Sequence, residues 1–322
     1  MISRIKKRFR VKADNDIGFG THVLEQDRLL NKDGTFNVIR KGIPFFDRFN
    51  FYHLLISISW VRFITVLFLG YVFINLAFTV IYFAIDTNEF AGLEYSNAFT
   101  RFKELYFFST QTFTTVGYGR INPVGGFANL VSSVESFTGL LAFALATGLL
   151  YGRFSRPKAN FRFSENILVA PFNNGTGLMY RVANVYNHQL IDVEAQINFT
   201  VIREENGVKA RKYFNLPLQL NKVLFFPTSW TVNHVIDESS PLYGMTMEDF
   251  IAEEAEFLIL MKAFDENFSQ SVHLRYSYKH TELKVGAKFT SMMDEPRNGK
   301  QVMDFNKLSN TINAPLPLVI DI

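Results

Sequence analysis

TTVGYGR, residues 114–120, is a short polar loop with two glycines set between two long apolar runs, and its reading decides the fold. Just before it, NAFTRFKELYFFSTQTF (residues 97–113) carries aromatic and aliphatic positions at helical spacing, with Leu105, Phe108 and Thr112 on one face. That segment is too short to cross a bilayer, so the economical reading is a helix that enters the membrane and stops, followed by a loop that returns. Irregular backbone at membrane depth is tolerated only where it is buried in protein or lines a water-filled path. The loop is therefore expected to line a path.

The apolar runs on either side set the frame. FITVLFLGYVFINLAFTVIYFAI, residues 63–85, has no charged residue, and its roughly 23 positions make a helix of about 34 Å against a hydrocarbon core of about 30 Å. Residues 127–151 read as a second span; it holds Glu135 and the small residues Ser132, Ser133, Gly139, Ala142, Ala144, Ala146 and Gly148, which suit close helix packing. After Pro157 no apolar run is long enough to cross, so the second half reads as a soluble domain. The composition agrees with a membrane protein: 322 residues, 48% hydrophobic, 16% aromatic with 35 Phe, and a net charge of only +3, which gives no support to a general nucleic-acid role. Cysteine is absent, which excludes a disulfide framework, a thiolate metal site and a cysteine nucleophile. The basic start MISRIKKRFR lacks a following apolar region, so no signal-peptide cleavage is expected, and residues 4–12 read as a disordered or lipid-touching arm.

Basic residues crowd before the first span (Arg4, Lys6, Lys7, Arg8, Arg10, Lys12, Arg28, Lys32, Arg40, Lys41, Arg48, Arg62) and just after the second (Arg153, Arg156, Lys158). Both ends are thus expected in the cytoplasm, with Asp86, Glu89 and Glu94 outside. The loop then lies in the outer half of the membrane. If its successive carbonyls face one axis, the backbone must visit left-handed dihedrals at alternate residues, which Gly117 and Gly119 do without a Cβ penalty. The carbonyls of Thr115, Val116, Gly117 and Tyr118, with the Thr115 hydroxyl, would then replace the water shell of a cation, K+ by the match of TVGYG to the known potassium-filter pattern. One loop cannot encircle an ion, so a homotetramer is implied. A phosphate loop is disfavoured, because the third glycine of the dinucleotide pattern and the Lys-Ser/Thr of a P-loop are both missing.

In the second half, LIDVEAQINFTVI (residues 190–202) alternates Ile191, Val193, Ala195, Ile197, Phe199 and Val201 with polar residues, the mark of a half-buried strand. Asn206-Gly207 and Asn298-Gly299 supply hairpin turns, and further strands are expected at residues 178–186, 224–235, 256–264 and 272–278. The expected fold is a membrane α-helical pore, with two transmembrane helices and a re-entrant pore helix per subunit, joined to a cytoplasmic all-β sandwich. The expected divisions are 1–42 (cytoplasmic N-terminal segment), 43–157 (pore), 158–310 (β-domain) and 311–322 (tail).

FFDRFNFYHLL (residues 45–55) followed by Ser59-Trp60, the loop at 115–119, YGRFSRP (151–157) and SWTVNHVIDESSPLYG (229–244) together resemble the bacterial inward-rectifier potassium channels, the KirBac family, over nearly the whole chain after about residue 30. The resemblance implies an immunoglobulin-like cytoplasmic domain, a tetrameric pore continuing through it, a place in the inner membrane, and no enzymatic activity. Eukaryotic relatives pair a pore-helix Glu with an Arg after the filter; the matching positions here are Gln111 and Ile121, so that pair is missing. Strong rectifiers carry an Asp in the second span where this chain has Phe143, which implies only weak block by polyamine or Mg2+.

Several residues keep two readings. Glu135 is costly in an apolar span and is expected to face protein behind the filter, bonded to Gln111 or the filter backbone, or else to act on ions directly. Tyr151 matches the family's constricting aromatic or reads as an interfacial tyrosine. Gly139 serves as a hinge or simply lets helices pack. Arg153, Arg156 and Lys158, joined by Arg48, bind anionic lipid such as phosphoinositides or only set topology. The histidines (22, 53, 188, 234, 273, 280) show no metal spacing and read as structural, and the sequons at Asn174, Asn198 and Asn267 read as chance matches. Rivals to a selective channel are a membrane-anchored ligand sensor or scaffold with a vestigial pore, and a non-selective cation channel.

Overall fold

Between Trp60 and Ala84 the only charge is Arg62, near the start, and the run folds as one unbroken helix. The computed structural model describes residues 13, 16–20, 28–44, 51–155, 160–185, 190–205 and 207–317. Lys41–Arg156 form one unit, and Met1–Arg40 with Pro157–Ile322 form the other. The first contains α1 (Phe51–Ser57), α2 (Trp60–Ala84), β1 (Phe90–Ala91), α3 (Ala98–Phe113), β2 (Asn122–Pro123) and α4 (Gly126–Phe154). The front of the amphipathic segment, residues 45–50, lies outside the described residues. With 25 and 29 residues, α2 and α4 are the helices long and apolar enough to span a membrane among those described. Helix α2 begins three residues before the expected span at 63–85 and ends one residue short of it, whereas α4 outruns the expected 127–151 at both ends.

Helix α3 starts where Asn97 accepts the Thr100 amide proton at 2.9 Å, an N-cap bond. Its buried stripe is Leu105, Phe108, Ser109 and Phe113, while Thr112 is only half-buried. Leu105 and Phe108 pack in one cluster with Tyr82, Ile85, Phe90, Ile121 and Ala128. Helix α4 abuts the end of α3 at Gly139, where an added Cβ would overlap the Phe113 carbonyl. Of the two readings of Gly139, close packing has the contact to support it.

The second unit is a sandwich. Strands β3 (Phe161–Phe163), β4 (Ile167–Phe172), β5 (Gly175–Asn184), β6 (Leu190–Glu205), β7 (Val208–Leu216), β8 (Lys222–Phe225) and β9 (Ser229–Ile236) lead to the short helix α5 (Met247–Ala252). Then come β10 (Glu256–Asp265), β11 (Gln270–Lys279), β12 (Leu283–Val285), β13 (Ala287–Phe289), β14 (Met293–Arg297), β15 (Lys300–Met303) and β16 (Thr311–Asn313). One sheet runs β11-β10-β6-β7 with β8 also on β6; the facing sheet runs β12-β4-β5-β3 with β9 also on β5. Val193, Ile197, Phe199, Phe257 and Ile259 from the first meet Ile167, Leu178, Tyr180, Val182 and Val232 from the second in a common core. β14 and β15 turn at Asn298 and Gly299, both at positive φ (50° and 72°), as a type I′ hairpin demands.

Two strand expectations change. Residues 224–235 are not one strand: the chain breaks after Phe225 near Pro227, which lacks an amide donor, and its halves join different sheets as β8 and β9. In β6 the alternation slips at its start. Ladder pairing jumps from Lys262↔Glu194 to Phe264↔Ile191, with Asp192 at φ 52°, so two residues oppose Ala263 in a β-bulge. The extra residue flips the faces, so Leu190 is buried at 4% exposure and Ile191 is not.

The motif containing His234 has a local purpose. Nδ1–H donates to the Pro217 carbonyl at 2.7 Å, and Nε2 accepts from the Ser240 hydroxyl at 2.8 Å, pinning the loop after β9. Burial lowers the His234 pKa, partly opposed by the Pro217 carbonyl and Asp237, and keeps the ring neutral.

Candidate functional site

The loop at 115–119 hangs from the C-terminal end of α3. Thr115 N–H donates to the Thr112 carbonyl at 3.1 Å, and the Val116 and Gly117 amides both donate to the Gln111 carbonyl, at 2.9 and 3.3 Å. No peptide bond in the described chain is cis. A trans peptide points its C=O opposite its N–H, so the carbonyls of Thr115 and Val116 face away from α3. Positive φ recurs at alternate residues: Thr115 (59°), Gly117 (50°) and Gly119 (78°). The two glycines were expected there; Thr115 was not, because a residue with a Cβ in this region costs about 1–2 kcal/mol. The helix above has no basic residue in its last turn, leaving the negative end of its dipole uncompensated.

The outer end of the loop is strapped down. Gly119 C=O accepts from the Asn122 side chain at 3.1 Å, and Ile121 is buried at 7% exposure. β2 pairs with β1, and Glu89 accepts the Val124 and Gly125 amides on its carbonyl and the Ala128 amide, at 2.7 Å, on its carboxylate. Glu89 thereby satisfies an open amide in the first turn of α4. Gln111 and Ile121 make no ion pair, as their identities require, but the adjacent Arg120 pairs with Glu104 on α3. A 16-residue spacing into a non-helical loop leaves no signature of that pair in the sequence.

Glu135 is fully buried behind the loop, and its partners differ from those expected. Tyr82 donates to Oε2 at 2.6 Å and Ser109 lies 2.5 Å from Oε1; neither Gln111 nor the filter backbone bonds to it. A cleft of about 390 Å³ opens beside the loop, lined by Gln111, Thr112, Thr115, Gly117, Ile121 and Ser133 among others. Farther along α4, Phe143 and Tyr151 are 75% and 74% exposed on the single chain, two turns apart and directed out of the subunit.

At the inner end, Arg153 is tied to its own subunit. Its guanidinium donates to the Leu55 and Ile58 carbonyls at 2.6 and 2.7 Å and lies over the rings of Trp60 and Phe63, at 4.6 and 4.5 Å from their centroids. It closes the end of α1 more directly than it offers charge to a headgroup. Arg48, Arg156 and Lys158 lie outside the described residues. No cluster of His, Cys, Asp and Glu suited to a bound metal occurs among the described residues.

Residues 63–156 match the family model described as "Ion channel", and residues 161–320 match "Inward rectifier potassium channel C-terminal domain". The chain is 35% identical over 287 residues to inward rectifier potassium channel Kirbac3.1 of Paramagnetospirillum magnetotacticum, covering 87% of this chain and 94% of that one. ATP-sensitive inward rectifier potassium channel 11 of Oryctolagus cuniculus is 23% identical over 314 residues, 90% of this chain and 80% of the relative. ATP-sensitive inward rectifier potassium channel 12 of Gallus gallus is 26% identical over 224 residues, where the chain spans about half (52%) of the relative's length. With the likeness sustained through both units, and each unit matched by its own family model, the chain belongs to the inward rectifier potassium channel family.

Proposed function

We propose that four copies of the chain surround one pore and that residues 115–119 form its selectivity filter, with K+ coordinated by the carbonyls of Thr115, Val116, Gly117 and Tyr118. The observation that carries this is the convergence of the Val116 and Gly117 amides on the Gln111 carbonyl, which directs two successive carbonyls away from the scaffold. The crowding of basic residues outside the spans supports an inner-membrane placement with both termini cytoplasmic. Phe143 faces the cavity below the filter, and the Tyr151 rings close the conduit by dewetting at its inner end. Anionic lipid binds the basic residues flanking the spans (Arg48, Arg156, Lys158, with Arg153 holding α1), and the β-sandwich transmits cytoplasmic signals to the gate.

Gly117→Ala tests the filter. Nothing lies within 4 Å of a Cβ placed at Gly117 in the single chain, so within the subunit the substitution acts through φ 50°. Each subunit then carries about 1–2 kcal/mol of backbone strain, or relaxes and turns its carbonyl away. In reconstituted vesicles, rubidium uptake in preference to sodium is expected to disappear while the tetramer still assembles. Undiminished selective uptake by an assembled Gly117→Ala channel would remove residues 115–119 from the conduction path.

A further inference from the structure

Asn75, Thr79, Tyr82, Ser109 and Glu135 are all at 0% exposure where α2, α3 and α4 meet, and their hydrogens can be counted. Asn75 Nδ2 donates to the Tyr71 carbonyl at 2.7 Å, which fixes the amide and turns Oδ1 toward Ser109. Thr79 donates to the Asn75 carbonyl at 2.6 Å, and the Tyr82 proton goes to Glu135 Oε2. That leaves Ser109, whose hydroxyl has one proton and three acceptors in reach: Glu135 Oε1 at 2.5 Å, the Asn75 carbonyl at 3.1 Å and Asn75 Oδ1 at 3.2 Å.

If Glu135 is ionised, the Ser109 proton goes to the carboxylate. Asn75 Oδ1 then loses its one donor among the described residues, and a bare negative charge sits in the apolar bundle, since no ion pair among those residues reaches Glu135. If Oε1 carries a proton instead, Glu135 donates to Ser109, Ser109 donates to Asn75, and Tyr82 donates to Oε2. Every acceptor is served and no charge is buried. We infer that Glu135 is held as the neutral acid and that this uncharged relay is the positioning device that sets α3 under the filter.

The relay reaches the filter by a short route. Ser109 lies half a turn before Gln111, whose carbonyl holds the Val116 and Gly117 amides, and one turn beyond Glu135 the Gly139 backbone abuts Phe113. The inference rests on the filter reading for its consequence, although not for the proton itself.

Glu135→Gln presents an NH2 donor to Ser109 and a carbonyl oxygen to Tyr82, so it copies the neutral acid. Its preference for rubidium over sodium in reconstituted vesicles is expected to stay within about twofold of the native channel, whereas Glu135→Ala, lacking both bonds, is expected to lose about tenfold or more. Infrared spectra of the reconstituted channel near neutral pH are expected to contain a protonated-carboxyl C=O band that shifts in heavy water and is missing from Glu135→Gln. A native spectrum without that band, or a Gln variant as impaired as the Ala variant, overturns the assignment. A native channel without selective flux would overturn the filter reading instead, and the infrared band would still decide where the proton sits.

Discussion

Phe143 is the residue whose replacement speaks most directly about the pore. Four copies would ring the cavity with apolar faces, each giving a cation at most about 0.5–2 kcal/mol. A carboxylate there attracts in proportion to the product of charges, so Phe143→Asp deepens the well for a polyvalent cation far more than for K+. The expected outcome is shallow block by internal spermine in the native channel and tighter, more voltage-dependent block in Phe143→Asp, read from macroscopic currents. Equal block in both would show that Phe143 does not face the conduit. Single residues were legible in the sequence where one identity carries the physics. Gly117 and Gly119 announce positive φ, and the structure has it at both. Thr115 hides the same geometry behind a side chain that normally avoids it, and Glu135 disclosed its burial but not Tyr82, its partner 53 residues away.

The stretch at residues 28–37 behaves as an element although it is neither helix nor strand. Leu29 and Leu30 are buried with Tyr213 and Leu258, their amides donate to the Glu256 carboxylate at 3.0 and 3.4 Å, and Ser277 donates to the Leu30 carbonyl. Arg28 and Lys32 both pair with Glu282. Burial raises the Glu282 pKa, but the Lys32 bond, the Lys279 amide and Arg28 more than offset it, and the net shift is downward. A depressed carboxyl contributes stability that is fully present above its unfolded pKa and lost as pH falls through its folded one. The strap is therefore expected to hold at neutral pH and to loosen on acidification below about 4.5, the ordinary value. At neutral pH, Glu282→Gln should quicken hydrogen exchange at the Leu29 and Leu30 amides by about fivefold, as befits a partly screened ion pair of about 1 kcal/mol. Unchanged exchange would leave Glu256 and the buried leucines as the whole anchor. The strap was not legible in the sequence, because it has no periodicity and its partners come from the far end of the chain. Helix α3, by contrast, was legible almost to the residue, since Asn97 caps it and its apolar stripe has a helical period. β6 was legible only beyond its bulge, where alternation regains its meaning.

For the whole molecule, the response to anionic lipid tests which basic residues after α4 carry it. Arg153 is engaged by the Leu55 and Ile58 carbonyls, so the lipid term is expected to rest on Arg156 and Lys158, each basic group near an anionic surface being worth about 1 kcal/mol. Joint neutralisation of Arg156 and Lys158 should shift the midpoint of the flux response to anionic lipid by about tenfold or more, whichever direction that response takes. An unmoved midpoint would return both residues to a topology role. The large-scale plan was legible because spans, basic flanks and alternating strands are properties of composition over many residues. The return of the N-terminal segment to the β-domain was not, since contacts of that range leave no local trace. Arg28 and Glu282 are 254 residues apart, with the whole membrane unit threaded between them. At synthesis rates of roughly 5–20 residues per second, the strap leaves the ribosome about 10–50 s before its dock exists. Both spans are thus made, and exposed to the insertion machinery, while the cytoplasmic domain is still open at one side, and closing that side is among the last events in the birth of each subunit.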